Sequence, residues 1–173
     1  EGVIAAMKQA GVPRLLQMSS LRAGEGDSHY LRTRGEAEAR VKASGLQWTI
    51  FQPSGIFGPG DGLFCRFAGL LKIAPVLPLA RSGTKFQPVF VRDVAAAFVR
   101  ALERPDSVGQ TYPLVGEKTL TLAGIVRYTA ECLGLHRLVL PMPGFVGALQ
   151  GMLLDPLPAG LKPFSSDNYK SLA

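Results

Sequence analysis

The fold is decided by LLQMSS at residues 15–20, YLRTRGEAEARVKAS at 30–44 and WTIFQPSGIFGPGD at 48–61. The first stretch and the start of the last are short and apolar, whereas the middle one is rich in Ala and Glu, so the order strand, helix, strand is predicted. Strands joined by such a crossover helix are parallel. Open α/β sheets bind ligands at the carboxyl ends of their strands, which here carry serines and a Gly/Pro loop.

The predicted helix carries a tyrosine and an arginine at a spacing that suits proton transfer. Tyr30 and Arg34 are four residues apart, which places their side chains on one helix face. A fixed cation beside a phenol favours the phenolate, and such a tyrosine can act as a general acid or base on a carbonyl or alcohol. Ser19 or Ser20 is placed to hydrogen-bond the same substrate oxygen. The spacing alone also fits a half-buried tyrosine at a helix start and a solvated arginine, so both interpretations stay open.

The rest of the chain is predicted to alternate between helices and short strands, with Pro75 and Pro78 as breaks. Asp27 or Ser28 is expected to cap the helix of Tyr30, and Asp93 to cap the helix that it starts. Predicted helices cover residues 1–11, 62–74, 93–103, 122–134 and 143–154, with a last short one ending at Leu172; predicted strands cover 86–91, 110–115, 119–121 and 137–140.

Composition and charge exclude several classes of function. The chain has 173 residues, of which 47% are hydrophobic and 18% charged, as in a globular domain. Its net charge is +6, but the basic residues are scattered and no nucleic-acid-binding motif appears, so no nucleic-acid partner is predicted. The basic bias also suits a phosphate-bearing cofactor. No apolar run reaches about 18 residues, so no membrane span is predicted.

The cysteines indicate a reducing compartment. Cys65 and Cys132 are the only two, and the sequence shows no secretory signal, so a cytoplasmic protein without disulfides is predicted. Together with His29 and His136 they lack the close spacing of metal ligands, and no metal site is predicted.

Several separated motifs resemble those of one protein family, in the family's order and over nearly the whole chain. They are MSS at residues 18–20, YLRTRGEAE at 30–38, WTIFQPSGIFGPGD at 48–61 and KFQPVFVRDVA at 85–95. The chain is similar to the extended and atypical short-chain dehydrogenase/reductases, also described as NAD-dependent epimerase/dehydratase-like. Within them it most resembles the group of the complex I nucleotide-binding accessory subunit.

The resemblance implies an α/β fold with a partial NAD(P)-binding Rossmann-type parallel sheet plus a small α/β substrate-binding region. Residues 1–61 would form the carboxyl-terminal part of the Rossmann-type domain, and 62–173 would interleave substrate-domain elements with the remaining strands and helices. The family's Gly-rich phosphate-binding turn does not occur in this sequence. A carboxyl-terminal portion is therefore expected, with incomplete binding of NAD or NADP, an open sheet edge and self-association or marginal stability.

The resemblance also assigns roles to individual residues. Ser20 matches the catalytic serine or threonine, with Ser19 beside it, and Tyr30 matches the catalytic tyrosine. Arg34 stands where the family has a lysine that binds the cofactor ribose. The cofactor-binding residues would be Ser19, Tyr30 and Arg34 together with the loop after the second strand, whose backbone meets the nicotinamide end: Pro53, Ser54, Gly55 and Ile56.

Two functions of different classes follow from the resemblance. The first is an NAD(P)-dependent oxidoreductase or epimerase-like protein, in which a Tyr/Ser pair assists hydride transfer at a carbonyl or alcohol of a small-molecule substrate. The second is a catalytically silent nucleotide-binding accessory or assembly subunit of a respiratory NADH dehydrogenase. The predicted partners are accordingly a dinucleotide with a small-molecule substrate, and a homo-oligomer or a respiratory complex.

Overall fold

The computed structural model describes residues 2–25 and 27–142. The helices within them are α1 (Gly2–Gln9), α2 (His29–Lys42), α3 (Phe64–Ile73), α4 (Val91–Glu103) and α5 (Leu122–Cys132), with a 3-10 turn at Pro105–Ser107. The strands are β1 (Arg14–Met18), β2 (Gln47–Pro53), β3 (Ile56–Phe57), β4 (Val76–Ala80), β5 (Lys85–Phe86), β6 (Val89–Phe90), β7 (Gln110–Leu114), β8 (Leu120–Thr121) and β9 (Leu138–Met142). The predicted helix at 143–154 and the one ending at Leu172 lie outside the described residues.

The chain divides into two compact units. The first comprises Glu1–Ser54 and Val89–Gly116, and the second comprises Gly55–Pro88 and Glu117–Ala173. The chain thus enters the second unit, returns to the first and enters the second again. The assignment of these regions to a cofactor-binding and a substrate-binding domain stays a prediction.

A three-stranded parallel sheet in the order β1-β2-β7 forms the centre of the first unit. Its register pairs Met18 with Phe51 and Pro53 with Leu114, so the three strands end at one edge. This confirms the predicted parallel βαβ arrangement. β2 is the central strand, and Ile50 and Phe51 are buried in the core, where the Phe98 ring of α4 lies 4.4 Å from the Phe51 ring.

Helix α2 begins where the sequence predicts a cap. The Leu31 N–H donates to the Ser28 side-chain oxygen at 3.5 Å, which satisfies one of the free donors of the first turn. The helix ends before Gly45, which has a positive φ of +74° and lies in the turn that leads into β2. By contrast, α4 begins at Val91 without a side-chain cap, and Asp93 lies exposed in its first turn. The predicted capping role of Asp93 is therefore wrong.

Among the residues that the structure describes, the second unit has two small sheets around its own core. β4 pairs with β9 in parallel, and β5 pairs with β8 antiparallel. Its core consists of side chains from α3, α5 and the first of these sheets, including Phe67, Leu71, Leu77, Leu79, Ile125, Val126 and Val139. Pro78 lies inside β4 and does not end it, contrary to the predicted break. A proline is tolerated there because each strand of a two-stranded sheet has a free edge on which no backbone donor is needed.

Within residues 2–25 and 27–142, no helix combines the length and the apolar character that crossing a membrane requires.

Candidate active site

The loop that follows β1 is hydrogen-bonded to the last residues of β2 at the carboxyl edge of the sheet. The Ser19 N–H donates to the Phe51 carbonyl at 2.7 Å, and the Leu21 N–H donates to the Pro53 carbonyl at 2.9 Å. Ser20 lies between these two bonds. The structure therefore brings the predicted residues Ser19, Ser20 and Pro53 together at the sheet edge where a ligand is expected.

The remaining residues of the predicted nicotinamide loop fall on both sides of a unit boundary. The Ser54 N–H donates to the Leu114 carbonyl at 2.9 Å, which ties it to the end of β7 in the first unit. Gly55 and Ile56 belong to the second unit. A Cβ on Gly55 would have only ordinary contact with a Leu63 methyl at 3.9 Å, so packing does not require glycine at this position.

The two strand-end serines differ in their hydrogen bonding. The Ser19 side chain is 4% exposed, and its hydroxyl has no hydrogen-bond partner among the residues that the structure describes. Ser20 is half-buried, and its hydroxyl donates to the Leu21 carbonyl at 3.3 Å. A buried hydroxyl without a partner costs free energy, so Ser19 is the serine whose environment favours a ligand atom.

Tyr30 and Arg34 share one face of α2, as their spacing predicts. The Arg34 guanidinium carbon lies 5.1 Å from the centre of the Tyr30 ring, within the range of a cation–π contact. The Arg34 Nη1 also donates to the Met18 carbonyl at 3.4 Å, a weak bond that directs the guanidinium to the last residue of β1. Arg34 thus links Tyr30, which is 41% exposed, to the strand that leads into the two serines.

Helix α2 contacts the loop after β1 at a glycine pair. A Cβ built on Gly35 would lie 2.5 Å from the Gly24 Cα and 2.8 Å from the Gly24 nitrogen, distances that backbone atoms cannot accept. The Gly24 N–H donates to the Leu31 carbonyl of the same helix at 2.7 Å. The glycine at position 35 therefore sets how closely Tyr30 and Arg34 approach the loop that follows Ser20.

A buried carboxylate that the sequence analysis missed fixes the other side of α2. Glu38 accepts a hydrogen bond at 2.8 Å from the side-chain amide of Gln52 on β2, and Lys42 lies 3.3 Å from its second oxygen. The spacing of Glu38 and Lys42 is that of a helical ion pair, which was the available sequence signal. No sequence signal predicted the contact with Gln52. That residue lies on β2, and its distance in sequence from Glu38 corresponds to no regular helix or strand spacing.

In the loop before α3, the carboxylate of Asp61 binds the first backbone N–H groups of the helix. The Asp61 Oδ1 accepts from the backbone N–H groups of Leu63 at 2.8 Å and of Phe64 at 2.5 Å. These are the first free donors of the helix, so the Asp61 carboxylate occupies the place that a phosphate takes at other helix starts. This end of α3 is accordingly structural, although Asp61 closes the GIFGPGD part of the family motif.

Comparison with known proteins identifies several that are similar to this chain. A family model described as NAD(P)H-binding matches residues 1–65. The chain is 34% identical over 162 residues to the mitochondrial NADH dehydrogenase (ubiquinone) 1 alpha subcomplex subunit 9 of Mus musculus, covering 92% of this chain and 41% of that protein. It is 29% identical over 133 residues to an NAD(P)H azoreductase of Xenophilus azovorans, covering 76% of this chain and 45% of that protein.

The fold has counterparts among solved structures. The UDP-glucose 4-epimerase of Thermus thermophilus, solved as a complex with NAD, matches with a TM-score of 0.64 at 23% sequence identity, covering 82% of this chain and 55% of that one. At this level of identity the match concerns the fold, and it agrees with the Rossmann-type parallel arrangement that the sequence predicts.

Residues 1–65 match an NAD(P)H-binding family, and the fold is similar to that of NAD-dependent epimerases and dehydratases; together these findings support NAD or NADP as the cofactor. In sequence the chain is similar to the NADH dehydrogenase subunit of the mouse. The chain spans about two fifths of the length of that relative. The relative is mitochondrial by its name, and a cytoplasmic location of the present chain stays a prediction.

Proposed function

We propose that this chain supplies the catalytic edge of an NAD(P)-dependent oxidoreductase or epimerase that acts on a carbonyl or alcohol of a small-molecule substrate. The observation that carries the proposal is the buried Ser19 hydroxyl, which lacks a partner among the described residues and follows the strand that Arg34 contacts. A ligand oxygen at this position would satisfy the hydroxyl and remove the cost of its burial.

The residues at this edge suit a nicotinamide cofactor, which when bound supplies or accepts a hydride. For a carbonyl substrate, the Tyr30 hydroxyl would give its proton to the substrate oxygen and later take one back from solvent. The Ser19 hydroxyl, which lacks a partner among the described residues, would donate a hydrogen bond to the same oxygen, with Ser20 beside it. The Arg34 guanidinium lies over the Tyr30 ring and contacts the Met18 carbonyl, so it would hold the tyrosine beside the end of β1.

Substitution of Arg34 tests the cofactor-binding part of this proposal. In the complete gene product we expect Arg34→Ala to weaken NADH or NADPH binding by roughly 5- to 30-fold, because a charge-assisted hydrogen bond from the guanidinium to the cofactor ribose would be worth about 1–2 kcal/mol. Arg34→Lys keeps the cation and should retain or raise the affinity. Calorimetric titration with each cofactor measures both variants.

The matched control is Arg32→Ala on the same helix. Arg32 is exposed and lies 3.8 Å from Glu36, without a contact to the strand end that the structure records. Its removal should leave cofactor affinity unchanged. If Arg34→Ala binds cofactor as tightly as the unaltered protein, Arg34 is a surface cation and the proposed cofactor contact is wrong.

A silent cofactor-binding subunit of a respiratory NADH dehydrogenase is the second candidate. The similarity to the mouse complex I subunit favours it. So does Arg34 itself, because the planar guanidinium is wider than the ammonium of the family's lysine and differs in how it can bind a ribose. In either function the protein would bind the dinucleotide, so affinity alone does not separate the two candidates.

Turnover separates them. Cofactor oxidation followed with a panel of carbonyl compounds and nucleotide sugars would support the enzyme if the rate falls with Tyr30→Phe and not with Arg32→Ala. Cofactor binding without turnover, together with stable copurification with a membrane respiratory complex, would support the accessory subunit.

A further inference from the structure

Helix α2 buries few apolar side chains. Of its 14 residues three are buried, and two of these, Leu31 and Val41, are apolar. The third is Glu38, whose side chain is 6% exposed. A buried carboxylate is tolerated only where contacts satisfy its oxygens, so the partners of Glu38 decide what it does in the fold.

Each oxygen of the Glu38 carboxylate has a contact. The Gln52 Nε2 donates to Oε1 at 2.8 Å, and the Lys42 Nζ lies 3.3 Å from Oε2. Lys42 belongs to the same helix and its side chain is 45% exposed, so this ion pair contributes little to the placement of α2. Gln52 lies on β2, and its bond to Glu38 therefore ties the helix to the sheet.

The bond between Glu38 and Gln52 lies between two parts of the candidate active site. Gln52 directly follows Phe51, whose carbonyl accepts from the Ser19 N–H at 2.7 Å. Both belong to β2, which is the central strand and is paired on each side. Glu38 lies one helical turn beyond Arg34, about 6 Å along the helix axis. The bond thus joins the helix that carries Arg34 to the strand segment that holds Ser19.

We propose that Glu38 is a positioning residue that acts through Gln52. The bond between them sets how Tyr30 and Arg34 are placed relative to Ser19, and it thereby sets the affinity for the cofactor. A hydrogen bond fixes both distance and direction, whereas apolar contacts allow a helix to slide or rotate by small amounts. Glu38 itself touches neither cofactor nor substrate. The inference rests on the NAD(P)-dependent function proposed above.

Cofactor affinity in the complete gene product tests the positioning role. We expect Glu38→Ala to weaken binding of NADH or NADPH by about threefold to tenfold, because Arg34 remains present but is displaced. Glu38→Gln keeps an acceptor for the Gln52 amide and should retain most of the affinity. Calorimetric titration is made at a temperature at which circular dichroism shows each variant to be folded. A merely structural role would lower the unfolding midpoint and leave this affinity unchanged.

An exchange of the two side chains identifies the bond. Gln52→Glu alone places two carboxylates against each other and should weaken cofactor binding by about threefold or more. Combined with Glu38→Gln, it restores one amide donor and one carboxylate, so binding should return to within about twofold of the unaltered protein. The matched control is Glu36→Gln, because this exposed carboxylate of α2 lies 3.8 Å from Arg32. The control should change the affinity by less than about twofold.

Titration of the unaltered protein separates this inference from the proposed function. If the complete gene product binds neither cofactor, the proposed function is wrong and the positioning role falls with it. If it binds a cofactor and Glu38→Ala binds equally well, the positioning role alone is overturned. Failure of the exchanged pair to recover the affinity lost in Gln52→Glu would also overturn it. Should Glu38→Ala not fold, Gln52→Ala carries the measurement, since it leaves the contact of Glu38 with Lys42 in place and should weaken binding by a similar factor.

Discussion

Gly35→Ala should lower the free energy of unfolding by about 1–3 kcal/mol, although the same change in most helices is stabilising. The new methyl would lie 2.5 Å from the Gly24 Cα, and this neighbour is backbone, which cannot rotate away. Relief requires that α2 and the loop after Ser20 separate, which would also strain the hydrogen bond from the Gly24 N–H to the Leu31 carbonyl. Urea unfolding measures the loss.

The same substitution should weaken cofactor binding in the complete gene product, because it moves Tyr30 and Arg34 away from the end of β1. Gly69→Ala is the matched control, since Gly69 also lies within a helix and no atom comes within 4 Å of a Cβ built there. We expect the control to be neutral or more stable by up to about 1 kcal/mol. Equal stability of the two variants would show that the glycine pair does not limit the approach of α2.

Local chemistry explains why much of the first unit was predictable. Helix α2 could be located from its cap at Ser28 and its stop at Gly45, because both signals lie within a few residues of the structure that they specify. The parallel pairing of β1 and β2 followed from the crossover helix between them. The edge at which Ser19 and Pro53 meet then follows from the sheet itself.

Features that depend on distant neighbours were not predictable in this way. Pro78 reads as a break in sequence, yet it lies in β4 because a two-stranded sheet leaves one edge of each strand free. Ser19 and Ser20 are chemically identical, and only burial distinguishes the hydroxyl without a partner from the one that donates to Leu21. The contact of Glu38 with Gln52 requires the finished packing of α2 on the sheet.

Arg14 is the clearest case of a residue whose role only the structure reveals. It opens β1, and its Nη2 donates to the side-chain oxygens of Thr49 at 2.8 Å and Ser107 at 2.7 Å and to the Ala101 carbonyl at 2.9 Å. The Ala101 carbonyl belongs to the last turn of α4, where a positive charge is favourable. One guanidinium therefore holds together β1, β2, the end of α4 and the turn that follows it.

We expect Arg14→Ala to lower the free energy of unfolding by about 2–4 kcal/mol, because hydrogen bonds from a charged donor are worth about 1.5–3 kcal/mol and several share this one group. Arg14→Lys should recover only part of the loss, since a single ammonium cannot reproduce the planar fork that also reaches the Gln47 carbonyl at 3.0 Å. Chemical unfolding that reports on the first unit, for example through its single tryptophan Trp48, measures both variants.

Arg104→Ala is the control, since Arg104 pairs with Asp106 in solvent and its backbone carbonyl, which Ser107 contacts, survives the change. It should leave the unfolding midpoint unchanged, because exposed ion pairs contribute little. Added salt should also leave the stability of the unaltered protein nearly unchanged. The three acceptors of the Arg14 Nη2 are neutral and partly buried, whereas salt screens mainly exposed charges. If Arg14→Ala matched Arg104→Ala in stability, the four elements would be held by apolar packing alone, and the guanidinium would only fill the space between them.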